Sequence, residues 1–326
     1  MKVRREAVVL AVLALLVAGT GLRAPNFLAS SNLVPLSRQA AVLAIPAMGQ
    51  AFVILTGGID LSIGSVLALV SVLTGLAMAG GRTGASAVPS AVCGLFALGA
   101  ALAIGLGHGA LVGRLRVPPF VVTLATFCAA RSLAEVLSHA TPITVEGRGG
   151  FRALWDETFL GLPVPVWIAA AVLIGAETLL RRSVLGRRFY AVGGNAEAAR
   201  LAGVPVGGVL AAAYGICALL VAVTALLTTA RLGQGDPKTG QLLELNAIAA
   251  AVVGGCALAG GAGSAFGAAL GAATIAVLQN ALILLRVNAL WHPFVVGVVL
   301  LATVALDRAA RRGPVAAVRE GVRGPN

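Results

Sequence analysis

Long apolar runs separated by short polar joints set the pattern of this chain. Runs of roughly 16–24 residues, the length a helix needs to cross a hydrocarbon core, fall near 7–22, 36–56, 61–80, 88–110, 118–138, 164–180, 208–230, 245–260, 264–285 and 291–307. They are too long and continuous for the short alternating strands of a membrane barrel. The pattern predicts an all-α polytopic membrane protein with about ten transmembrane helices (eight to ten). Residues 1–326 form a single transmembrane domain in this reading. Two runs are interrupted by glycine clusters, so broken helices are expected near 57–64 ("GGIDLSIG") and 254–261 ("GGCALAGG").

Composition supports the same class. The chain is 59% hydrophobic and only 11% charged, with a mean hydropathy of +0.97. A soluble domain carries about 25% charge, and a globule of this length has too little interior for so much apolar surface. The 42 glycines suit helices that approach closely through small side chains. The basic, then apolar, start "MKVRREAVVLAVLALLVAGTGL" has the form of a signal peptide but lacks an A-x-A cleavage site, and is read as a retained first helix.

The net charge of +12 does not indicate nucleic acid, because the charges are spread over joints between apolar runs. They are distributed as a topology signal instead. With the N-terminus inside, 15 Lys and Arg residues fall on one side, among them Lys2, Arg4, Arg5, Arg187, Arg188, Arg319 and Arg323. The other side holds 7, namely Arg23, Arg82, Arg148, Arg152, Arg231, Lys238 and Arg286. This bias predicts both termini in the cytoplasm. Residues 139–163 and 231–244 then become polar loops on the outer side. The four cysteines (Cys93, Cys128, Cys217, Cys256) are scattered without metal or redox spacing and read as small core residues.

Three stretches carry candidate chemistry. In "LTGGIDLSIGS" the glycines Gly57 and Gly58 release a helix ahead of Asp60 and Ser62. Asp60 has two open roles: N-cap of the next helix, or contact with a solute in a transport pathway. "GGIDLSIG" and "GGCALAGG" share G-G-x-x-L-x-x-G, and interrupted segments in corresponding halves point to a pathway. Gly254 and Gly255 therefore join Asn246 as candidate pathway residues. The inside stretch 186–204, "GRRFYAVGGNAEAARLAGV", predicts a short helix: Asn195 caps it after Gly194, Glu197 lies in its first turn, Arg200 follows at i+3 and Gly203 closes it. Its small face (Ala196, Ala199, Gly203) is expected to bury against a partner, with Glu197 and Arg200 at the rim. Arg131 and Glu135, at i,i+4, are expected to neutralise each other on one helix face. No phosphate-binding loop and no nucleophile–base set occurs, so the chain is read as a transport subunit, not an enzyme, and any ATP must be hydrolysed on another subunit.

The stretches "GGIDLSIGS", "PPFVVTLATFCAARSL", "GRRFYAVGGNAEAARLAGV" and "ELNAIAAAVVGGCALAGGAGSAFGAALGA" resemble the ribose-type permeases of bacterial ABC sugar importers, from about residue 26 to Asp307. The resemblance implies a multi-pass protein of the bacterial inner (plasma) membrane that translocates a monosaccharide such as ribose, xylose or galactose. It implies cytoplasmic ABC ATPase subunits holding ATP and Mg, a periplasmic or lipid-anchored sugar-binding protein, a second permease copy in a homo- or heterodimer, and no cofactor on this chain. Residues 195–203, within a coupling loop at 186–204, would insert into the ATPase. Asn246 replaces the acid in the family's "ELDAIAA", and Cys256–Ala257 replace Thr–Ser, which bears on the particular solute. Alternatives are a permease for nucleosides, autoinducer-type sugars or branched-chain amino acids, or an ion-coupled secondary transporter using Asp60 or Arg131 and Glu135.

Overall fold

The computed structural model describes residues 2–79, 89–145 and 149–312. Arg82, Arg148, Arg319 and Arg323 of the charge count lie outside the described residues. The elements are α1 (Lys2–Arg23), α2 (Ser30–Leu55), α3 (Ile63–Met78), α4 (Ser90–Gly113), α5 (Pro119–Ser138), α6 (Gly149–Asp156), α7 (Val164–Arg182), α8 (Val184–Gly194), α9 (Ala196–Leu201), α10 (Val206–Leu232), α11 (Leu243–Val253), α12 (Ala265–Leu284) and α13 (His292–Arg312). Among the described residues, seven helices are long and apolar enough to cross a membrane, and α3, α11 and part of α13 are shorter apolar helices. Two small antiparallel ladders complete the chain: β1 (Ile143–Thr144) with β4 (Gln234–Gly235), and β2 (Thr158–Phe159) with β3 (Leu162–Pro163).

Every expected apolar run falls on a helix, but one run is much shorter than expected. The run placed at 245–260 is helical only over α11. Residues 233–242, expected in an outer loop, instead fold inward along α3. Gly235 lies against Ser71 and Gly75, and Gly240 lies against Gly64 and Leu67. The segment therefore descends about two turns of α3, roughly 11 Å at 1.5 Å per residue. It is not helical because Pro237 disfavours the α conformation at Asp236, whose side chain accepts from Lys238 N (2.8 Å) and closes a local turn.

α2 is the central helix, with 78% of its apolar window buried, against 11% for α1 and 17% for α7 at the periphery. The helices α2–α5 and α10–α13 are two sets with matching neighbours. α10 packs on α4 as α2 packs on α12; α3 packs on α10 as α11 packs on α2; α5 lies on α3 as α13 lies on α11. The sets run in opposite directions, since α2 ends where α8 and α9 lie and α10 begins there. Each set contains one interrupted crossing, 56–62 leading into α3 and 233–242 leading into α11. Inverted repeats with one broken helix each are a recurrent transporter plan.

The equivalence differs from the one expected. "GGIDLSIG" follows α2, whereas "GGCALAGG" joins α11 to α12, so these motifs are not counterparts within the two sets. What they share is a way of stopping a helix. Gly57 (φ 82) and Gly255 (φ 93) adopt left-handed conformations just beyond α2 and α11, where a side chain would be strained. The two stops then meet, with Gly261 N donating to Leu55 O (2.9 Å).

Small residues set the helix spacing. On α4, Gly105, Gly109 and Gly113 recur every four residues on the face toward α10. A Cβ at Gly105 would fall 2.5 Å from the Tyr214 carbonyl oxygen, and one at Gly113 2.7 Å from Gly207 Cα. Gly109 lies as tightly against Ala211, whereas nothing lies within 4 Å of a Cβ at Gly99. Gly109→Leu is therefore expected to destabilise the bundle by about 1–3 kcal/mol or more through overpacking, and Gly99→Leu to have little effect. The thermal unfolding midpoint of the detergent-purified variants is the measurement.

Candidate functional site

The end of the bundle carrying α8 and α9 has the most defined polar surface. α8 is capped by Ser183, whose Oγ accepts from Gly186 N (2.9 Å), and α9 by Asn195, whose Oδ1 accepts from Ala198 N (3.0 Å), the cap expected from sequence. α8 is fastened inward. Phe189 is fully buried with its ring edge-on to Phe52, centroids 5.5 Å apart. Tyr190 donates from Oη to Gly263 O (2.9 Å), and burial, reinforced by the Glu177 carboxylate, pushes its phenol up to about 12, so the donor stays protonated at neutral pH.

α9 projects away from this anchor. Gly194, Asn195, Ala196, Glu197, Arg200, Leu201 and Gly203 are exposed, with Arg200 Nη1 3.4 Å from Glu197 Oε1. Ala199 is a correction to the expected docking face. It is buried in the apolar core, because residue 199 lies on the side of this short helix that meets the bundle. Leu201 takes the outward apolar position, 89% exposed.

Behind α9 lies the 254–264 loop, which bonds to three helices, while α7 reaches the first turn of α12 beside it. Besides Gly261 to α2 and Gly263 to α8, Ser264 Oγ donates to Glu6 Oε1 on α1 (2.7 Å) and accepts from Gly267 N (2.9 Å). Glu177 on α7 pairs with Arg181 through one oxygen and accepts from Phe266 N with the other (3.1 Å). Gly193 packs directly on Leu55 and Gly261, where there is no room for a side chain. Gly254 packs on Gly267 at the start of α12.

The 56–62 interruption rises from this end into the bundle. Gly57 N and Gly58 N donate back to Ile54 O and Val53 O (2.9 and 3.1 Å), and Thr123 Oγ1 donates to Ile59 O (3.3 Å). Asp60 is 3% exposed. Its Oδ1 accepts from Ser62 N (2.8 Å) and Ser62 Oγ (2.6 Å). The expected cap is thereby shifted: Asp60 closes the turn ahead of α3, and Ser62 occupies the N-cap position. Asp60 Oδ2 faces His108 Nδ1 at 3.9 Å, and His108 Nε2 bonds Thr126 Oγ1 (2.8 Å).

The second interruption depends on Arg131. Rather than closing a pair with Glu135 on its own helix, its guanidinium donates to Pro237 O (2.6 Å) and Thr239 O (3.0 Å), with Glu244, Glu135 and Asp236 as the surrounding charges. Asn246, one turn into α11, accepts from Gln279 Nε2 (3.4 Å), which in turn is linked through its Oε1 to Gln39 (3.2 Å).

The sequence candidates therefore divide among three places. Gly58, Asp60 and Ser62 form the buried first interruption, with Gly57 exposed at its start. Gly254 and Gly255 belong to the loop behind α9. Asn246 stands apart on α11. Sequence reasoning missed the fastening role of Tyr190 and Glu177, the backbone role of Arg131 and the outward position of Leu201. Arg131 had a signal, a cation inside an apolar helix, but its partners lie over a hundred residues away. Cys93, Cys217 and Cys256 are buried as expected, while Cys128 is exposed. Among the described residues no cluster of three or more His, Cys, Asp or Glu side chains fits a metal ion.

Because both bonds to Ser62 fall on Oδ1, Asp60→Asn is expected to keep the turn and Asp60→Ala to lose it. Ala would leave Ser62 N and Oγ unpaired, costing about 1–3 kcal/mol for each buried group. Transport at equal protein level, with thermal unfolding of the purified protein, separates the outcomes: equal damage by Asn and Ala would mean that the charge matters.

Comparison with known proteins bears on this geometry directly. Residues 32–304 match the family described as "Branched-chain amino acid transport system / permease component". The chain is 38% identical over 315 residues to a probable ABC transporter permease protein of Sinorhizobium fredii, covering 96% of this chain and 92% of that one. It is 38% identical to the ribose import permease protein of Escherichia coli K12 (91% and 92% covered) and 32% identical to the xylose transport system permease protein of the same strain (88% and 87%). No solved structure matches the chain. A match across most of the length, carried on a bundle of membrane-crossing length, places the chain in the family of ABC importer permease components.

Proposed function

We propose that the chain is the membrane-spanning subunit of an ATP-driven importer that passes a monosaccharide of the ribose or xylose type across the bacterial inner membrane. The observation that carries this reading is the near-full-length similarity to ribose and xylose import permeases. The family description names branched-chain amino acids, but the relatives with assigned solutes given above act on sugars. A self-sufficient ion-coupled carrier is disfavoured, because Arg131 gives its donors to backbone carbonyls and Asp60 is enclosed by its own turn.

In this reading the α8–α9 end and both termini face the cytoplasm, in agreement with the Lys and Arg distribution. The chain crosses ten times, counting α3, α11 and α13 with the seven longer helices. α9 docks in a groove of an ABC ATPase, which holds ATP and Mg. Leu201 is the apolar anchor, and the exposed Glu197 and Arg200 form the rim. Movement of α9 passes through Tyr190 and Gly193 to the 254–264 loop, and from there to α1, α2, α7 and α12 together. A second permease copy completes the passage, and a sugar-binding protein, periplasmic or lipid-anchored, docks at the opposite end.

The test is reconstitution with the ATPase and binding protein in proteoliposomes. The wild type is expected to take up D-ribose or D-xylose with ATP hydrolysis. Leu201→Asp should insert normally yet lose ATPase co-purification and uptake together, since an apolar anchor truncated at an interface centre costs about 2 kcal/mol or more. Full ATPase association by Leu201→Asp would show that α9 is not the dock. ATP-dependent uptake of L-leucine alone would overturn the sugar assignment.

A further inference from the structure

We propose that the inward-folded segment 238–246 and the cavity beside it form one wall of a water-filled passage, and that this wall contacts an uncharged, hydroxyl-rich solute through the neutral amides of Asn246 and Gln279. The solute class rests on the permease reading above; the water-filled wall does not.

Gly240 packs on Gly64, 14 residues from the end of α3, about 21 Å along its axis. That is well inside a hydrocarbon layer of about 30 Å. At this depth the chain is non-helical, yet Lys238, Gln241 and Leu242 are exposed on the surface of the bundle. Lipid does not tolerate such a segment: irregular backbone within a bilayer must be covered by protein or line a water-filled cavity. A lysine facing lipid would add a further penalty. The second interruption thus contrasts with 56–62, whose Gly58, Asp60 and Ser62 are enclosed or nearly so.

The surface beside this segment has polar groups prepared for a ligand. A cavity of about 130 Å³ lies between α11, α12 and α13, lined by Leu242, Asn246, Gln279, His292 and apolar neighbours. His292 Nε2 is shielded there without a hydrogen-bond partner. Asn246 has its oxygen engaged by Gln279, which leaves its two N–H donors to offer. No carboxylate, lysine or arginine lines the cavity. Within the cavity a zwitterionic amino acid would find no counter-charge for its ammonium or carboxylate, so nothing in the lining selects it. A sugar needs only neutral donors and acceptors, with apolar walls against its C–H faces.

The test uses the assembled importer in proteoliposomes, on a permease with its four native cysteines replaced. Single cysteines at 241 and 246 are exposed to a charged, membrane-impermeant methanethiosulfonate, with a cysteine at the outward-facing Gly99 of α4 as the lipid-side control. Positions 241 and 246 are expected to react about tenfold or more faster than 99, because the reactive thiolate forms only where water reaches it. Slow reaction at both positions would overturn the wall. Separately, Asn246→Leu is expected to slow D-ribose or D-xylose uptake severalfold with the complex still assembled; unchanged uptake of those sugars would overturn the solute contact. Fast labelling together with wild-type transport of L-leucine and neither sugar would overturn the solute class and the functional reading, while leaving the water-filled wall standing.

Discussion

Two stretches of non-helical backbone interrupt an otherwise apolar helix bundle, and each of their polar groups that faces the interior needs a partner within the protein. That requirement accounts for several of the polar and charged side chains around them. Arg131 reaches across from α5 to the carbonyls of Pro237 and Thr239. Asp60 takes the amide and hydroxyl of Ser62, and Thr123 donates to Ile59. Arg131 also shows why a cation can reside here: the carboxylates of Glu244, Glu135 and Asp236 lie around it and favour its charge.

The interruptions in turn shape the inverted arrangement of α2–α5 and α10–α13. Each interruption starts a shorter helix partway through the bundle, and the first turn of α3 meets the approach to α11 at Gly64 and Gly240. The two sets differ in how enclosed their interruptions are. The first is wrapped by α2, α5 and α10, and the second is open along one side. α8, α9 and the 254–264 loop are fastened at the end where α2 stops. The loop's bonds to α1, α2 and α8 tie these helices together at that end.

Much of this was legible from residue pattern. The apolar runs, the glycine stops at 57–58 and 254–255, and the Asn195 cap all follow from local chemistry, and the structure has each of them. The failures share a cause in tertiary placement. Residues 231–244 look like a polar surface loop, with Gln, Asp, Pro and Lys, yet Gly235 and Gly240 allow close approach to α3 and Arg131 supplies donors from a distant helix. The six residues of α9 are too few for periodicity to show which side faces inward, so Ala199, expected on the docking face, is buried and Leu201 points outward unforeseen. The G-G-x-x-L-x-x-G match was real as a helix-stopping device but did not mark equivalent positions, because the repeat is inverted and pairs 56–62 with 233–242.

The most direct test of this account is amide hydrogen exchange on the purified protein carrying Arg131→Leu. Removing the guanidinium leaves the carbonyls of Pro237 and Thr239 without this donor, worth about 1–3 kcal/mol for each buried group left unsatisfied. Exchange over residues 236–246 should accelerate by about tenfold or more, since 1.4 kcal/mol is a factor of ten. The rates in α2, α8 and α12 should hold. Unchanged protection over 236–246, or uniform loss across the whole bundle, would contradict the claim that Arg131 holds the second interruption in place.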